Sequence, residues 1–446
     1  MDDRSVETSL DASIKDATAY SVMVGLGELY VSAAAVYLKA SDAAVALLQT
    51  LPLFLGACMQ LVTPPMIDRL RRRWPLALGG ATVQALTWAP MIVALFLPPQ
   101  IGVIVVIASN ILYFAAIHFT IPAWMSVMGD LVPAEARGRY FGRRNALAIT
   151  MQLFAGILGG AALDVFKRAG HEGLGFAVIF AGALSARLLS TWYLSRMTEP
   201  AYTPAVDRGP SLLEFVRGLR TSNFARFVVF VAAINASAHV AGSITNIYFL
   251  RVLHYSYWQY TLVLNILVLA SIPALPAWGR LADRFGNRIV LATTAMLIVS
   301  APVLWFVSGH VAWSCVVQAI AGIGWAGFNL CVGNFLFDAL PPAHRARNTA
   351  YLNVFTNVGV LVGGFAAAGI AWLNPLALGP LRLTHWVYAA FIVSFLLRIA
   401  AITIILPRFR EVRNVPPVGV VRMLFHAGRE VAEAAVNVVT GLVGRK

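Results

Sequence analysis

Long apolar blocks alternate with short polar breaks from one end of the chain to the other. Twelve blocks reach the length of about 20 residues that crosses a bilayer. The first six are Ala17–Leu38, Ala43–Thr63, Pro75–Leu97, Ile101–Met128, Asn145–Phe166 and Leu174–Leu194. The second six are Phe224–Leu250, Tyr257–Trp278, Ile289–Val307, Val311–Phe337, Thr349–Leu373 and His385–Leu406. Hydrocarbon cannot hydrogen-bond a backbone, so each block predicts a helix. The pattern gives an all-α membrane protein of about twelve transmembrane helices.

The polar breaks supply the orientation. Breaks after blocks 2, 4, 6, 8 and 10, with Arg226 at the edge of block 7, carry 18 lysines and arginines, and the alternate breaks carry five. By the positive-inside rule the arginine-rich side faces the cytoplasm, and an even number of helices puts both termini there. The expected location is the inner (plasma) membrane, multi-pass. Residues 1–16 read as a polar cytoplasmic N-terminus, without the basic start and apolar run of a signal peptide. Residues 17–195 and 224–406 read as two six-helix bundles joined by a cytoplasmic linker, 196–223. That linker holds Pro200, Pro204 and Pro210, then Ser211 and Glu214 at the spacing of a helix capping box. The tail, 407–446, places Val421, Leu424, Phe425, Gly428 and Val431 on one stripe against Arg422, His426, Arg429 and Glu433, an amphipathic helix suited to a membrane surface.

Composition narrows the function classes. Of 446 residues, 59% are hydrophobic and 12% charged, against roughly 25% charged in a soluble domain. The net charge of +14 sits in small arginine clusters between apolar blocks. It does not form a basic face with interleaved aromatics, so no nucleic-acid partner is expected. Cys58, Cys315 and Cys331 all fall inside apolar blocks and read as small buried hydrophobes. No nucleophile-elbow, P-loop or metal-cluster pattern occurs, so neither an enzyme, a cofactor nor a metal is expected.

The two halves repeat each other. Asp283 follows Asp68 by 215 positions, Asp338 follows Asp130 by 208, and Arg398 follows Arg187 by 211. A parallel repeat of six-helix halves is a transporter architecture, with a solute site near the midplane. The stretch GRLADRFGNR, with Gly279, Leu281, Ala282, Asp283, Arg284, Gly286 and Arg288, resembles the signature loop of the major facilitator superfamily. In the first half that loop is reduced to Asp68, Arg69 and the run Arg71–Arg73, with Pro64 replacing its first glycine. A D-x-x-P-x-x-x-R pattern at Asp130, Pro133 and Arg137 recurs as Asp338, Pro341 and Arg345.

The resemblance implies twelve helices, alternating access, a monomer, and charged loops that latch the cytoplasmic ends of the halves. In that role Asp283 would face the positive N-terminus of a neighbouring helix, and Gly279 and Gly286 would allow close approach or a sharp turn. Topology alone explains the arginines but not the repeated aspartates. The drug-antiporter branch carries a glycine–proline motif in its fifth helix. Here MQLFAGILGG keeps Gly159–Gly160 but has Gly156 in place of the proline, which weakens a multidrug reading.

Within the blocks, Glu28 is the acid nearest the bilayer centre, where a carboxyl marks a functional site by default. Asn235, His239, Ser243 and Asn246 form one helical stripe in block 7, and His239 could share a proton with Glu28. Further polar candidates are Asn110, Tyr113 and His118 in block 4, Asn329 and Asn334 in block 10, and Asn353 and Asn357 in block 11. Arg187 and Arg398 lie near block ends and are expected to snorkel to the surface. The reading is a transporter of a small organic solute, coupled to protons through Glu28. The alternatives are a uniporter, an exporter of amphiphilic or lipid-like compounds, or a membrane sensor or scaffold that transports nothing.

Overall fold

The computed structural model describes residues 3–133, 137–201, 212–218, 222–340, 342–372, 377–378, 381–382, 385–415 and 419–443. Among them are 12 helical spans long and apolar enough to cross a membrane. Numbered in chain order, spans 1–6 are Arg4–Tyr37, Asp42–Leu70, Trp74–Ala94, Pro99–Leu131, Arg139–Arg168 and Glu172–Ser195. Spans 7–12 are Asn223–Val252, Tyr257–Phe285, Asn287–Leu304, Val311–Ala339, Asn348–Trp372 and Trp386–Arg408. The fold is all-α, with one two-residue β pair, Ala377–Leu378 against Leu381–Arg382, between spans 11 and 12.

Contacts group the chain into two compact units. Unit 1 is Met1–Ala205 with Ile244–Thr261, and unit 2 is Val206–Ser243 with Leu262–Lys446. In unit 1, span 1 packs on spans 5 and 6, while spans 2 and 3 pack on span 4. The segment 244–261 belongs here because its polar groups find partners here. Arg251 pairs with Asp42, the backbone N–H of Tyr257 donates to Asp164 at 2.9 Å, and the Tyr257 hydroxyl donates to Glu172 at 2.5 Å. In unit 2, span 7 packs on spans 11 and 12, and span 9 on span 10. Gly359 and Gly363 of span 11 leave no room for a Cβ against the carbonyls of Ala232 and Ala236.

Span 1 departs from the expected continuous helix at both ends. It starts at Asp3 and runs to Leu26, so most of the supposed polar tail is the first four turns of the helix. The Tyr140 hydroxyl donates to Leu10 O at 3.0 Å and the Thr198 N–H to Ser9 Oγ at 3.0 Å, which ties those turns to span 5 and to the exit of span 6. After Gly27 the span becomes a 3₁₀ turn, Glu28–Tyr30, and resumes as α-helix at Val31–Tyr37. Gly27 abuts the Trp88 ring and Gly25 the backbone of span 5, so side chains would not fit at either position. Span 7 breaks too, between Gly242 and Thr245.

The linker helix lies at Leu212–Arg217, with Phe215 packed on Phe224, Tyr351 and Phe355. Pro204, Pro210 and Ser211 lie outside the described residues. The tail forms one helix, Val420–Val443. Its Met423 and Ala427 are buried in the core of unit 2, while Phe425 is 78% exposed. The docked face is therefore one residue off the predicted apolar stripe, which leaves Phe425 pointing away from the protein.

Candidate functional site

In unit 1 a connected group of buried polar side chains joins spans 1, 3, 4 and 6. The break after Gly27 places Glu28 at a turn where its side chain leaves span 1 toward span 4. There the Tyr113 hydroxyl donates to Glu28 Oε2 at 2.6 Å. Tyr113 is fixed by an edge contact with Trp88, ring centroids 5.4 Å apart, and Trp88 is in turn packed on Phe180. Among the described residues of unit 1 the carboxyl is thus held by the Tyr113 hydroxyl in an aromatic setting.

A second acid lies three turns toward the start of the same span. Asp16, assigned from sequence to the polar tail, is 4% exposed inside unit 1. Ser190 Oγ donates to its Oδ1 at 2.6 Å, and Arg144 and Arg187 stand at 3.5 and 4.0 Å. Arg187 is 2% exposed and does not snorkel. Its Nε donates to Gln84 Oε1 at 2.8 Å, Nη1 to Ser190, and its guanidinium lies 5.0 Å over the Tyr20 ring. The Tyr20 hydroxyl is within reach of Gln84 and of Tyr113, so polar groups run on from Asp16 to Glu28. Beside them is a cavity of about 300 Å³, lined by Asp16, Tyr20, Trp124, Arg144 and Arg187 together with Ser21, Thr120 and apolar residues. The sequence reading missed Asp16 and Arg144. The available signal was Arg187, since a guanidinium inside a span needs acceptors and a carboxylate is the strongest of them.

The other candidates are more self-contained. Asn235 Nδ2 donates to Val231 O and Ser243 Oγ to His239 O, each one turn back on its own helix. His239 Nδ1 lies 2.9 Å from Asn235 O. Asn246 Oδ1 accepts from Tyr260 at 3.1 Å, so it belongs to unit 1 and not to the stripe that holds His239. His118 Nδ1 is 2.8 Å from Gln60 Nε2. Asn110 donates to Leu48 O and Asn357 to Asn353 O. Asn329 is exposed and Asn334 half-buried on span 10. Arg398 is also buried, its Nη groups donating to the carbonyls of Ile298 and Ala238.

The signature loop holds the end of its own unit. Gly286 has φ +90°, and a Cβ there would lie 2.6 Å from Glu411 Oε2. That carboxylate accepts from the Arg288 N–H at 2.6 Å, at the N-terminus of span 9, where the helix dipole favours an anion. Glu411, not Asp283, fills this position. Arg288 also donates to Phe409 O at 2.9 Å. Asp283 is 77% exposed and shares Arg413 with Asp338, which is itself bonded by Asn287. The hydrogen bonds that Arg413 donates to Asp338 and, less strongly, to Asp283 push its pKa above its already high ordinary value. Arg284 is exposed beside Phe285. Gly279 meets nothing nearer than Leu330 at 4.0 Å, so only Gly286 needs to be glycine.

The same clamp recurs in unit 1, on a residue the motif comparison passed over. Arg73, 1% exposed, bonds Asp130 and Ser126, donates to Pro200 O, and gives its N–H to Glu199 at 2.6 Å. Asp68 is half-buried and Arg69 exposed at the end of span 2. The side chains of Arg137 and Arg345 lie outside the described residues.

Comparison with known proteins agrees with this architecture. A family model described as Major Facilitator Superfamily matches residues 17–364 and 227–438. Human solute carrier family 22 member 2 is 29% identical over 120 residues, 26% of this chain and 19% of that one. The arabinose-proton symporter of Bacillus subtilis (strain 168) is 29% identical over 100 residues, 22% of this chain and 21% of that one. The matches thus span about a fifth of the curated relatives. Among solved structures, a variant of the nucleoside transporter NupG superposes with TM-score 0.69 at 12% identity, covering 90% of this chain and all of that one (100%). A D-xylose-proton symporter gives 0.59 at 15%, covering 92% and 99%. The repeated halves, the twelve spans and the family match together place the chain in the Major Facilitator Superfamily.

Proposed function

We propose that the chain is a secondary active transporter that moves a small organic solute by alternating access, driven by protons. The carrying observation is Glu28. It is a carboxyl in a broken membrane span, held by the Tyr113 hydroxyl, with Trp88 and Phe180 behind it. Such a group is costly in a membrane and can take up and release a proton as access alternates. The arabinose-proton symporter among the relatives favours the same coupling. The charged loops around Asp68, Asp130, Asp283 and Asp338 gate the cycle in this reading. The protein works as a monomer without a cofactor.

The test uses purified chain in proteoliposomes loaded with a pH-sensitive dye. Addition of pooled sugars, nucleosides and organic acids should acidify or alkalinise the lumen for one class, and an ionophore that collapses the proton gradient should abolish accumulation. Flux of no class, or accumulation indifferent to the ionophore, would overturn proton coupling.

Orientation is part of the proposal, with the arginine-rich loops in the cytoplasm. In a background without the native cysteines, Gln100→Cys should react with a membrane-impermeant thiol reagent added to intact cells. Arg284→Cys, exposed on the other side, should react only after permeabilisation. Reversed labelling would invert the topology.

A further inference from the structure

The Asp16–Arg144–Arg187 cavity has an electrostatic imbalance that its protein neighbours do not correct. Two guanidinium groups face one carboxylate, and neither is in tight contact with it, at 3.5 and 4.0 Å. Arg187 spends Nε on Gln84 and Nη1 on Ser190. Arg144 spends Nε on Ser13 O at 3.3 Å and lies 4.5 Å over the Trp124 ring. Among the described residues, Nη2 of Arg187 and Nη1 of Arg144 meet no acceptor. A guanidinium carries five N–H donors, and those left unmet at the edge of a cavity are available to a ligand's acceptors. These donors border open space of about 300 Å³, at the lower end of small-molecule sites.

The remaining walls select the rest of the ligand. Ile117, Ile121, Ala148 and Leu194 are apolar, Tyr20 and Trp124 offer ring faces, and the Thr120 hydroxyl is already bonded to Ala116 O at 2.9 Å. We propose that this cavity in unit 1 binds a small organic anion, its carboxylate or phosphate oxygens between Arg144 and Arg187 and its apolar or aromatic body against Trp124. The assignment rests on the transport reading, to which it adds a substrate class. The local net charge of one plus disfavours a cation. A neutral polar solute would leave both guanidinium donors without a charged acceptor. A free organic acid and an anionic lipid headgroup carry the same chemistry.

The experiment uses the full chain in nanodiscs of phosphatidylcholine, titrated with benzoate, phenyl phosphate, benzylamine and benzyl alcohol. Thermal denaturation reports binding, since a ligand of the folded state raises the midpoint. The two anions should give a saturable rise, and the amine and the alcohol none. Arg144→Gln should weaken anion binding about tenfold or more, the effect of losing a charged hydrogen bond. Ala148→Leu fills the space, leaves every charge in place, and should abolish the rise. Competition by added phosphatidylglycerol supports a lipid headgroup as the natural anion, and lack of competition supports a free acid.

A chain that accumulates solute but shows no anion-dependent rise overturns the cavity assignment and leaves the transport reading intact. So does a rise unaffected by both Arg144→Gln and Ala148→Leu.

Discussion

Glu28→Gln should assemble like the native chain, exchange solute down its gradient, and lose accumulation driven by a pH difference. The glutamine amide has nearly the size of the carboxyl, and its oxygen can still accept from the Tyr113 hydroxyl that now bonds Glu28 at 2.6 Å. What disappears is the ability to carry a proton. Counterflow of labelled solute in proteoliposomes measures exchange, and uptake under an imposed pH gradient measures coupling. The expected split is exchange within about twofold of native against accumulation reduced to the passive level, a difference set by the loss of one titratable group. Full proton-driven accumulation by Glu28→Gln would remove the residue from the coupling mechanism. Tyr113→Phe should give a partial version of the defect, because it leaves the carboxyl in place without its donor.

Arg187→Met should destabilise unit 1 by about 3 kcal/mol, the lower end of what breaking one side of a buried ion pair costs. The reason lies with Asp16. Without Arg187 it keeps the Ser190 hydroxyl at 2.6 Å and Arg144 at 3.5 Å, which is incomplete compensation for a buried charge. Adding Asp16→Asn removes the stranded charge, so the double variant should regain most of the lost stability. Arg398→Met is the internal comparison. Phe227 stands 211 positions after Asp16, and among the described residues Arg398 bonds backbone carbonyls alone, so its removal strands no described carboxylate. Denaturation of the four proteins in detergent gives the ranking directly. An Arg187→Met chain as stable as native, or one not rescued by Asp16→Asn, would show that the pair is not coupled.

Much of the architecture could be read from periodicity, because the bilayer imposes a length on every span and a sign on every loop. The twelve blocks, the repeat and the signature loop all rest on features local in sequence. The cavity does not. Asp16 lies 128 residues from Arg144 and 171 from Arg187, and no local pattern joins them. The polar stretch before Asp16 reads as solvated chain until its Leu10 and Ser13 carbonyls are seen accepting from Tyr140 and Arg144. The roles inside the signature loop were likewise hidden. Glu411 reaches the start of span 9 from beyond the last span, so the motif displays Gly286 and Arg288 without the acid that explains them. Arg73 was masked by its neighbours, since in a run of three arginines only burial distinguishes one from the others.

The paired clamps also bear on the order in which the chain is made. Glu199 comes 126 residues after Arg73, and Glu411 comes 123 after Arg288. During synthesis the third helix of each half therefore enters the membrane with its leading amides unanswered. The acid that answers them emerges only when the sixth helix is complete. Each bundle carries this clasp on its final residues, so a half cut short before Glu199 or Glu411 keeps its six spans and lacks that acid.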